Sequence, residues 1–296
     1  MKTAIVSGCN DKYFDYLFNL YNSLKVSKNF EKYDFCIFNV DIKKENLNLL
    51  KGSNIKIIEP KWDFKFDFKA DDWKKLLTVR PFIKDYFKGY DNYIWLDADV
   101  WVQDDNFINE FNETSKLNKI SIVPELDINY EVSKKNYSFK KIFFDIYKAK
   151  GWNYKNYKKY FNKDLAEKLI QKPLFNAGVF SIPHKSKIWD LWATEFNRVI
   201  SISKNDYCLN MDQASLNKII YENLNDVNFF NSKYNYLCKN KMPFYNKEKN
   251  YFCLPDYPFE KINIIHLTQI SPYDIFDIKT TNGERLKKKI VYEKQY

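Results

Sequence analysis

A regular alternation of strand-like and helix-like segments runs through the first hundred residues and leaves few architectures open. Thr3–Ser7, Phe35–Val40, Ile55–Glu59 and Tyr93–Leu96 are short apolar runs bounded by polar residues, a pattern that predicts strands. Between the first two, Asp11–Lys28 carries Tyr13, Tyr16, Leu17, Leu20, Tyr21 and Leu24 at helical spacing. Ile42–Lys51 and Asp71–Phe87 also read as helices, the second in spite of Pro81. Ile120–Val123 adds a further strand. A β-α-β-α-β-α-β order closes most simply as a mostly parallel sheet with helices on its faces. The expected fold class is therefore α/β, a Rossmann-like sheet flanked by helices.

The rest of the chain is less regular. Asn129–Gln171 has weak periodicity and includes the Tyr- and Lys-rich WNYKNYKKYFNK, Trp152–Lys163, which predicts a helical insertion over the sheet's active edge. A strand (Gly178–Ile182), two helices (Ser186–Ile202 and Met211–Glu222) and a last strand (Asn263–Leu267) follow. The tail, ERLKKKIVYEKQY, is basic and is expected to be helical. There is no Pro/Gly/Ser-rich linker and no internal repeat, so residues 1–296 are expected to form one domain.

One strand ends oddly. In NYIWLDADVWVQ, Asn92–Gln103, an apolar run meets Asp97 and Asp99 and then resumes. Residues two apart on a strand point to the same side, or converge where the strand gives out. Two carboxylates about 6 Å apart repel by roughly 3 kcal/mol at an effective dielectric of 20, and a divalent cation between them reverses that sign. Ligands of open parallel sheets also sit beyond the carboxyl ends of strands. The plainer reading is that Asp99 turns the chain and Asp97 is incidental; three residues do not decide between the two.

Composition narrows the partners only loosely. Lys and Arg exceed Asp and Glu by 48 − 38 = 10, which permits anionic partners such as nucleic acid, phosphate-bearing substrates or an acidic membrane face without choosing among them. The 5 cysteines are odd in number and widely spaced with no CxxC, which argues against a disulfide framework or zinc knuckle and for a reducing compartment. The start, MKTAIVSGCNDKY, turns polar too soon for a signal peptide, and no apolar run reaches the ~20 residues that cross a bilayer.

The apolar strand ending in LDAD resembles the metal-binding DxD of glycosyltransferases with the GT-A fold. Further segments follow in the order of family 8 of these enzymes, the glycogenin and lipopolysaccharide galactosyltransferase group. They are GCNDKYFDYLFNLYNSL at the first strand-helix junction, Arg80 before the DxD strand, FNAGVFSIP (Phe175–Pro183), MDQASLN (Met211–Asn217) and IIHLT (Ile264–Thr268). Their ordered conjunction, over residues 3 to 268, carries the resemblance.

The resemblance implies a role for each segment. Residues 1–103 would be the nucleotide-binding half, 104–270 the sugar- and acceptor-binding half, and 271–296 a basic tail. Cys9, Asn10, Asp11 and Tyr13 would hold the nucleotide, with the tyrosine ring on the base; the alternative is a hydrophobic contact at a helix start. Arg80, a fork suited to phosphate oxygens, would face the diphosphate, or is a surface ion pair. Asn176 and Ala177 would line the donor-sugar pocket, with Gly178 keeping the backbone close. Asp212 and Gln213 would be the catalytic pair beside the sugar, Asp212 opposite the leaving group; a dipole-favoured helix start is the alternative, although Asn210 already serves as an N-cap. His266 would join Asp97 and Asp99 as the third metal ligand, with Ala98 between the two aspartates against the donor. An Asp, Asp, His set with diphosphate oxygens favours Mn²⁺, with Mg²⁺ second, because imidazole is a poor magnesium ligand. His184 lacks this context and is expected to be exposed.

One departure stands out. Family members usually follow the histidine with a glycine and a KPW-like tail that clamps the diphosphate; here HLTQISPYD has Gln269 for the glycine and no lysine before Pro272, so the clamp would pass to Lys279 or a tail lysine. The resemblance implies a metal-dependent transferase acting on a nucleotide-diphosphate sugar, a UDP-hexose first, with retention of configuration. The acceptor itself is not readable; a glycan or lipid-linked glycan is expected, with the basic, aromatic Trp152–Lys163 stretch and the KKK tail either near an anionic lipid-linked glycan at the inner membrane face or simply a solvated helix with core aromatics. The cysteines and the polar start lead to a cytoplasmic expectation, and no nucleic-acid partner is expected. Two other classes stay open. One is sugar-1-phosphate nucleotidyl transfer, against which SGCNDKY lacks the usual Gly-rich basic loop; the other is an inactive sugar-binding module.

Overall fold

The computed structural model describes residues 1–64, 70–126, 138–143, 146–202, 211–239, 241–268 and 270–292, with backbone only for 138–150. In chain order the strands begin with β1 (Thr3–Asn10), β2 (Asp34–Val40), β3 (Ile55–Ile58), β4 (Asn92–Leu96), β5 (Val100–Val102) and β6 (Ile120–Pro124). β7 (Ser138–Phe143) and β8 (Ile146–Lys150) form a hairpin, followed by β9 (Phe175–Pro183) and β10 (Val227–Phe229). The C-terminal part holds β11 (Tyr236–Leu237), β12 (Phe244–Asn246), β13 (Tyr251–Cys253), β14 (Ile264–His266), β15 (Ile275–Lys279) and β16 (Arg285–Lys289).

Seven strands make the central sheet in the order β10-β6-β9-β4-β1-β2-β3. The pairs β1/β2, β1/β4, β2/β3 and β10/β6 are parallel, as the alternating pattern predicts. β9 alone runs against both of its neighbours, β4 and β6. The strands are apolar on both sides because both faces are covered. Ala4 and Val6 of β1, Cys36 and Phe38 of β2, and Tyr93 and Trp95 of β4 face one core, roofed by the helices Trp152–Tyr160, Lys163–Ile170, Ile188–Ile202 and Met211–Glu222. The alternate residues Ile5, Ile37, Ile94 and Leu96 face the other core, under the helices Phe14–Lys25 and Asn106–Ser115. A third core lies under the small sheet β11-β14-β5 and the C-terminal hairpins.

Three sequence expectations change. Asp71–Phe87 is not one helix: it is broken into Asp72–Lys74, Lys75–Thr78, Arg80–Phe82 and Ile83–Tyr86. Pro81 lies in the first turn of the third piece, where it supplies no donor and sits without cost, and that break turns Arg80 inward. The insertion expected to be helical is half hairpin, β7–β8, and half helix, the two parts meeting at Gly151 with φ 117°. Residues 129–137, 144 and 145 of that stretch lie outside the described residues. The basic tail is an antiparallel hairpin, β15–β16, rather than a helix, turned at Asn282-Gly283 with Gly283 at φ 90°. Among the described residues no helix is long and apolar enough to cross a membrane. Cys9, Cys36, Cys238 and Cys253 are free and buried.

One layer of the core reaches the strand that ends in the aspartates. Phe180 of β9 stacks on Trp95 with ring centroids 6.4 Å apart and meets Trp192 edge-on at 5.5 Å. Phe180→Ala should lower unfolding free energy by about 3–5 kcal/mol in urea titration, with Phe180→Leu much milder. A loss under about 1 kcal/mol would mean that this layer is not close-packed.

Candidate active site

The direction of β9 builds the site. Because Leu96 pairs with Val179 in antiparallel register, the first residues of β9 lie beside the carboxyl end of β4. Asp97 N–H donates to Gly178 O at 2.8 Å there. The strand then gives out: Val100 N–H donates to Asp97 O at 3.1 Å, so Asp97–Asp99 is a turn on which the two carboxylates converge. β5 leaves the turn and pairs with β14, setting His266 opposite Val100.

Three side chains therefore meet. His266 Nε2 is 3.2 Å from Asp99 Oδ1 and 4.0 Å from Asp97 Oδ2. One ligand atom from each of Asp97, Asp99 and His266 lies within 4.8 Å of the others. Asn235 Oδ1 accepts from His266 Nδ1 at 2.9 Å, which orients the ring and turns Nε2 toward the carboxylates. Asn235 Nδ2 in turn donates to Asn176 Oδ1 at 3.3 Å, and the same oxygen accepts Gly178 N–H at 2.9 Å. A Cβ on Gly178 would stand 2.5 Å from His266 Cε1 and 2.7 Å from Asp97 Oδ2, so only glycine leaves the cluster its shape.

Arg80 stands behind this cluster, 8 % exposed. Its Nη2 donates to Asp97 Oδ1 at 2.5 Å and its Nη1 to Asp212 Oδ2 at 2.6 Å. Trp95 Nε1 donates to the same Asp97 oxygen at 2.7 Å, and the guanidinium carbon lies 5.1 Å from the Trp95 ring centroid. Asp97 Oδ1 is thus committed to the protein, while Oδ2 faces His266. Burial alone would lower the Arg80 pKa, but Asp97 and Asp212 outweigh it and hold the charge firmly. Burial pushes the Asp212 carboxyl above its ordinary value, and Arg80 offsets only part of that. Burial pulls the His266 imidazole down; the Asp99 carboxylate outweighs it and holds the pKa above the usual histidine value. Asp99 shows the converse: burial raises it, and His266 brings it below the usual carboxylate value.

The donor set fits a divalent cation. Arg80 pairs with Asp97 and Asp212 but not with Asp99, and two carboxylate oxygens and one oriented imidazole nitrogen suit a first-row ion.

The other expected residues fall into two groups. Gln213 Oε1 accepts from Ala177 N–H at 3.0 Å, and Asn217 ties the same helix to Phe175, so Asn176, Ala177, Asp212 and Gln213 all adjoin the cluster. At the end of β1, Asn10 Oδ1 accepts from Tyr13 N–H at 3.2 Å and caps the turn into the first helix. Tyr13 is 46 % exposed and stacks on Tyr16 at 5.4 Å. Tyr16 Oη donates to Ile270 O at 3.4 Å; burial, then nearby charges including Asp99, raise its pKa. Cys9 is buried. Asp11 is occupied by its neighbours, accepting from Lys43 N–H at 3.0 Å and Asn46 Nδ2 at 2.8 Å, which holds its carboxyl below the usual value. His184 is exposed, as expected. Lys279 Nζ lies 5.3 Å from the Phe244 ring centroid, and Gln269 is outside the described residues.

The profile of Glycosyl transferase family 8 matches residues 4–269. The chain belongs to this family. It is a glycosyltransferase with the GT-A fold, and solved structures share that fold. The galactosyltransferase LgtC, in complex with donor and acceptor sugar analogs, aligns at TM-score 0.53 and 15 % identity over 92 % of this chain and 89 % of that one. The bifunctional glycosyltransferase WbbM aligns at 0.54 and 16 %, over 90 % and 45 %. Mouse xyloside xylosyltransferase 1 aligns at 0.52 and 11 %, over 92 % and 99 %. No curated protein sequence matches the chain.

Two residues of this glycosyltransferase's site escaped sequence reasoning. Trp95 was legible in principle, since two-residue alternation puts it on the side of Asp97. Asn235 had no signal: it is one asparagine among many, brought to His266 by β11 and β14.

Two predictions follow from the geometry. Gly178→Ala and Asn235→Leu should each weaken Mn²⁺ binding about 10–100-fold by calorimetry, with the fold retained by circular dichroism. Unchanged affinity in both would remove His266 from the ligand set. Since His266 keeps its proton to higher pH than an ordinary histidine near 6.5, a cation must displace that proton, and Mn²⁺ affinity should climb as pH rises from about 6 to 9. Affinity flat across that range contradicts the assignment.

Proposed function

We propose that this family 8 enzyme moves a hexose from a nucleotide-diphosphate sugar, UDP-hexose first, to a glycan or lipid-linked glycan acceptor, with retention of anomeric configuration. The observation that carries this reading is the convergence of Asp97, Asp99 and His266 beside Gly178 and Asp212, with the exposed Tyr13 ring at the end of β1. Asp97 Oδ2, Asp99 and His266 Nε2 would hold Mn²⁺, with Mg²⁺ the second choice. A divalent cation there supplies positive charge to the diphosphate as it leaves.

The chain's own residues do the rest. Tyr13, steadied by Tyr16, offers a flat apolar face to the base, and Asn10 and Asp11 shape the turn beneath it. Asn176 and Ala177 bring backbone and amide groups to the donor sugar. Gln213 Nε2 makes no hydrogen bond among the described residues and is available to a sugar hydroxyl. Asp212, held by Arg80, supplies negative charge against the positive charge that grows on the sugar ring. Arg80 acts through the two carboxylates it fixes, Asp97 and Asp212, rather than through a free fork. Among the described residues the cluster's carboxylates are engaged, Asp97 and Asp212 by Arg80 and Asp99 by His266, and the acceptor's proton would go to the departing phosphate on the same face. The proposal includes a cytoplasmic reaction with a lipid-linked acceptor met at the inner membrane face, a reading supported by the basic net charge of +10.

A panel of nucleotide sugars with Mn²⁺, read by nucleoside diphosphate release, should single out one donor. Asp99→Ala should lose at least about 100-fold in rate, and NMR of the first product should show the donor's own anomer. An inverted product removes the retaining route. Pyrophosphate release from a nucleoside triphosphate and a sugar phosphate would replace the reading with nucleotidyl transfer. Asp212→Asn should lower kcat about 100-fold while UDP affinity stays within about threefold; an equal fall in affinity would make Asp212 a binding group only.

A further inference from the structure

A cavity of about 850 Å³ opens on a different part of the molecule, between the end of the first helix, β5 and the C-terminal hairpins. None of its lining residues belongs to the Asp97–Asp99–His266 cluster. Ser23 and Val26 line it at the carboxyl end of the Phe14–Lys25 helix, whose amino end adjoins Tyr13. A helix of 12 residues spans about 18 Å, so the cavity and the base-stacking ring lie at opposite ends of that element.

Its lining is unusual in charge and in chemistry. Lys28, Lys249, Lys261 and Lys288 contribute to its walls, against the single acid Asp105, which already accepts from Ser27 Oγ and Asn29 Nδ2. Lys28 and Lys249 are exposed and make no ion pair among the described residues. Lys288 Nζ lies 4.9 Å from the Tyr245 ring centroid, and Lys261 binds Asp104 at 2.9 Å. Half-buried Tyr251 and Tyr292 add aromatic surface. The floor is rigid: Gln103 bonds Phe252 and Ile262 through both ends of its amide, and Val102 N–H donates to Ser23 Oγ at 2.9 Å. Trp101, at the same wall, has a buried Nε1 with no hydrogen-bond partner among the described residues.

We propose that this cavity is a second ligand site, separate from the transfer centre, for an anionic saccharide, a sugar bearing phosphate or carboxylate. Its volume lies in the range of small-molecule sites, roughly 300–1,000 Å³. Lysines are compact point charges suited to such anions, and an aromatic ring's negative face accepts the C–H face of a sugar. An inorganic anion would use the lysines but not the rings; a neutral sugar would use the rings but leave the lysines unanswered. Trp101 belongs to the strand that leaves the Asp97–Asp99 turn, so occupancy braces the same β5–β14 pair that carries His266. The proposal concerns binding only and stands apart from the choice of donor or anomer at the transfer centre.

Calorimetry on the full chain tests it with glucose 6-phosphate, a glucuronic acid disaccharide, glucose and inorganic phosphate as probes. At least one of the two anionic sugars should bind at least about tenfold more tightly than glucose or phosphate, and binding should weaken in 0.5 M salt. Lys28→Glu/Lys249→Glu should lose that binding about tenfold or more while UDP and Mn²⁺ binding persist; Asp99→Asn should do the reverse. A second double variant, Lys28→Gln/Lys249→Gln, should show a smaller loss in the same direction. Three outcomes overturn the proposal. They are phosphate binding as tightly as the sugars, loss of anionic-sugar binding in Asp99→Asn, and lysine variants that lose only binding to phosphatidylglycerol vesicles.

Discussion

One guanidinium, locked between two carboxylates, holds the site together. Asp97, Asp99 and Asp212 bring three negative charges into a place where water is scarce, and without a fixed cation they would push the chain apart. Burying Arg80 costs several kcal/mol, and the two short charge-assisted bonds to Asp97 and Asp212 offset that cost while fixing where each oxygen points. The Trp95 ring closes one face of the guanidinium and donates to the same Asp97 oxygen. What remains is a cluster still short of positive charge, with Asp97 Oδ2, Asp99 and His266 left to supply ligands.

The arrangement depends on strand direction as much as on charge. If β9 ran parallel to β4, Asn176–Gly178 would lie at the far end of the sheet and the helix carrying Asp212 would follow from the wrong side. The reversed strand instead sets Gly178 against the Asp97 turn, where the missing Cβ makes room for His266. β14 then arrives from the third core, with Asn235 holding the outer ring nitrogen. Four widely separated stretches of chain meet, each fixed by backbone pairing rather than by loops alone.

Much of this was legible in the residues themselves, because the signals were local. β1, β2 and β4 are apolar on both sides, and a buried parallel strand writes that pattern plainly. The Asp97–Ala98–Asp99 interruption and the histidine ending an apolar strand were readable for the same reason. The direction of β9 was not: FNAGVFSIP carries no information about its partner's polarity. Asn235 was invisible because its contacts with His266 and Asn176, 31 and 59 residues away, leave no local pattern. The tail was misread because lysines obscured the two-residue alternation of Arg285–Lys289, although Asn282-Gly283 announced the turn. Pro81 was weighed too lightly, and the break it starts is what aims Arg80.

The reversed strand has one more consequence, for how such a chain can change. β6 ends and β9 begins at the same rim of the sheet, so the chain leaves residue 124 and comes back at residue 175 on the edge beside the Asp97–Asp99 turn. The two helices of that connector are tied into the core, so the room for change lies at the β7–β8 hairpin, a separate two-stranded sheet that pairs with no strand of the central one. Evolution can therefore redraw what stands over the reaction centre while leaving its foundations alone.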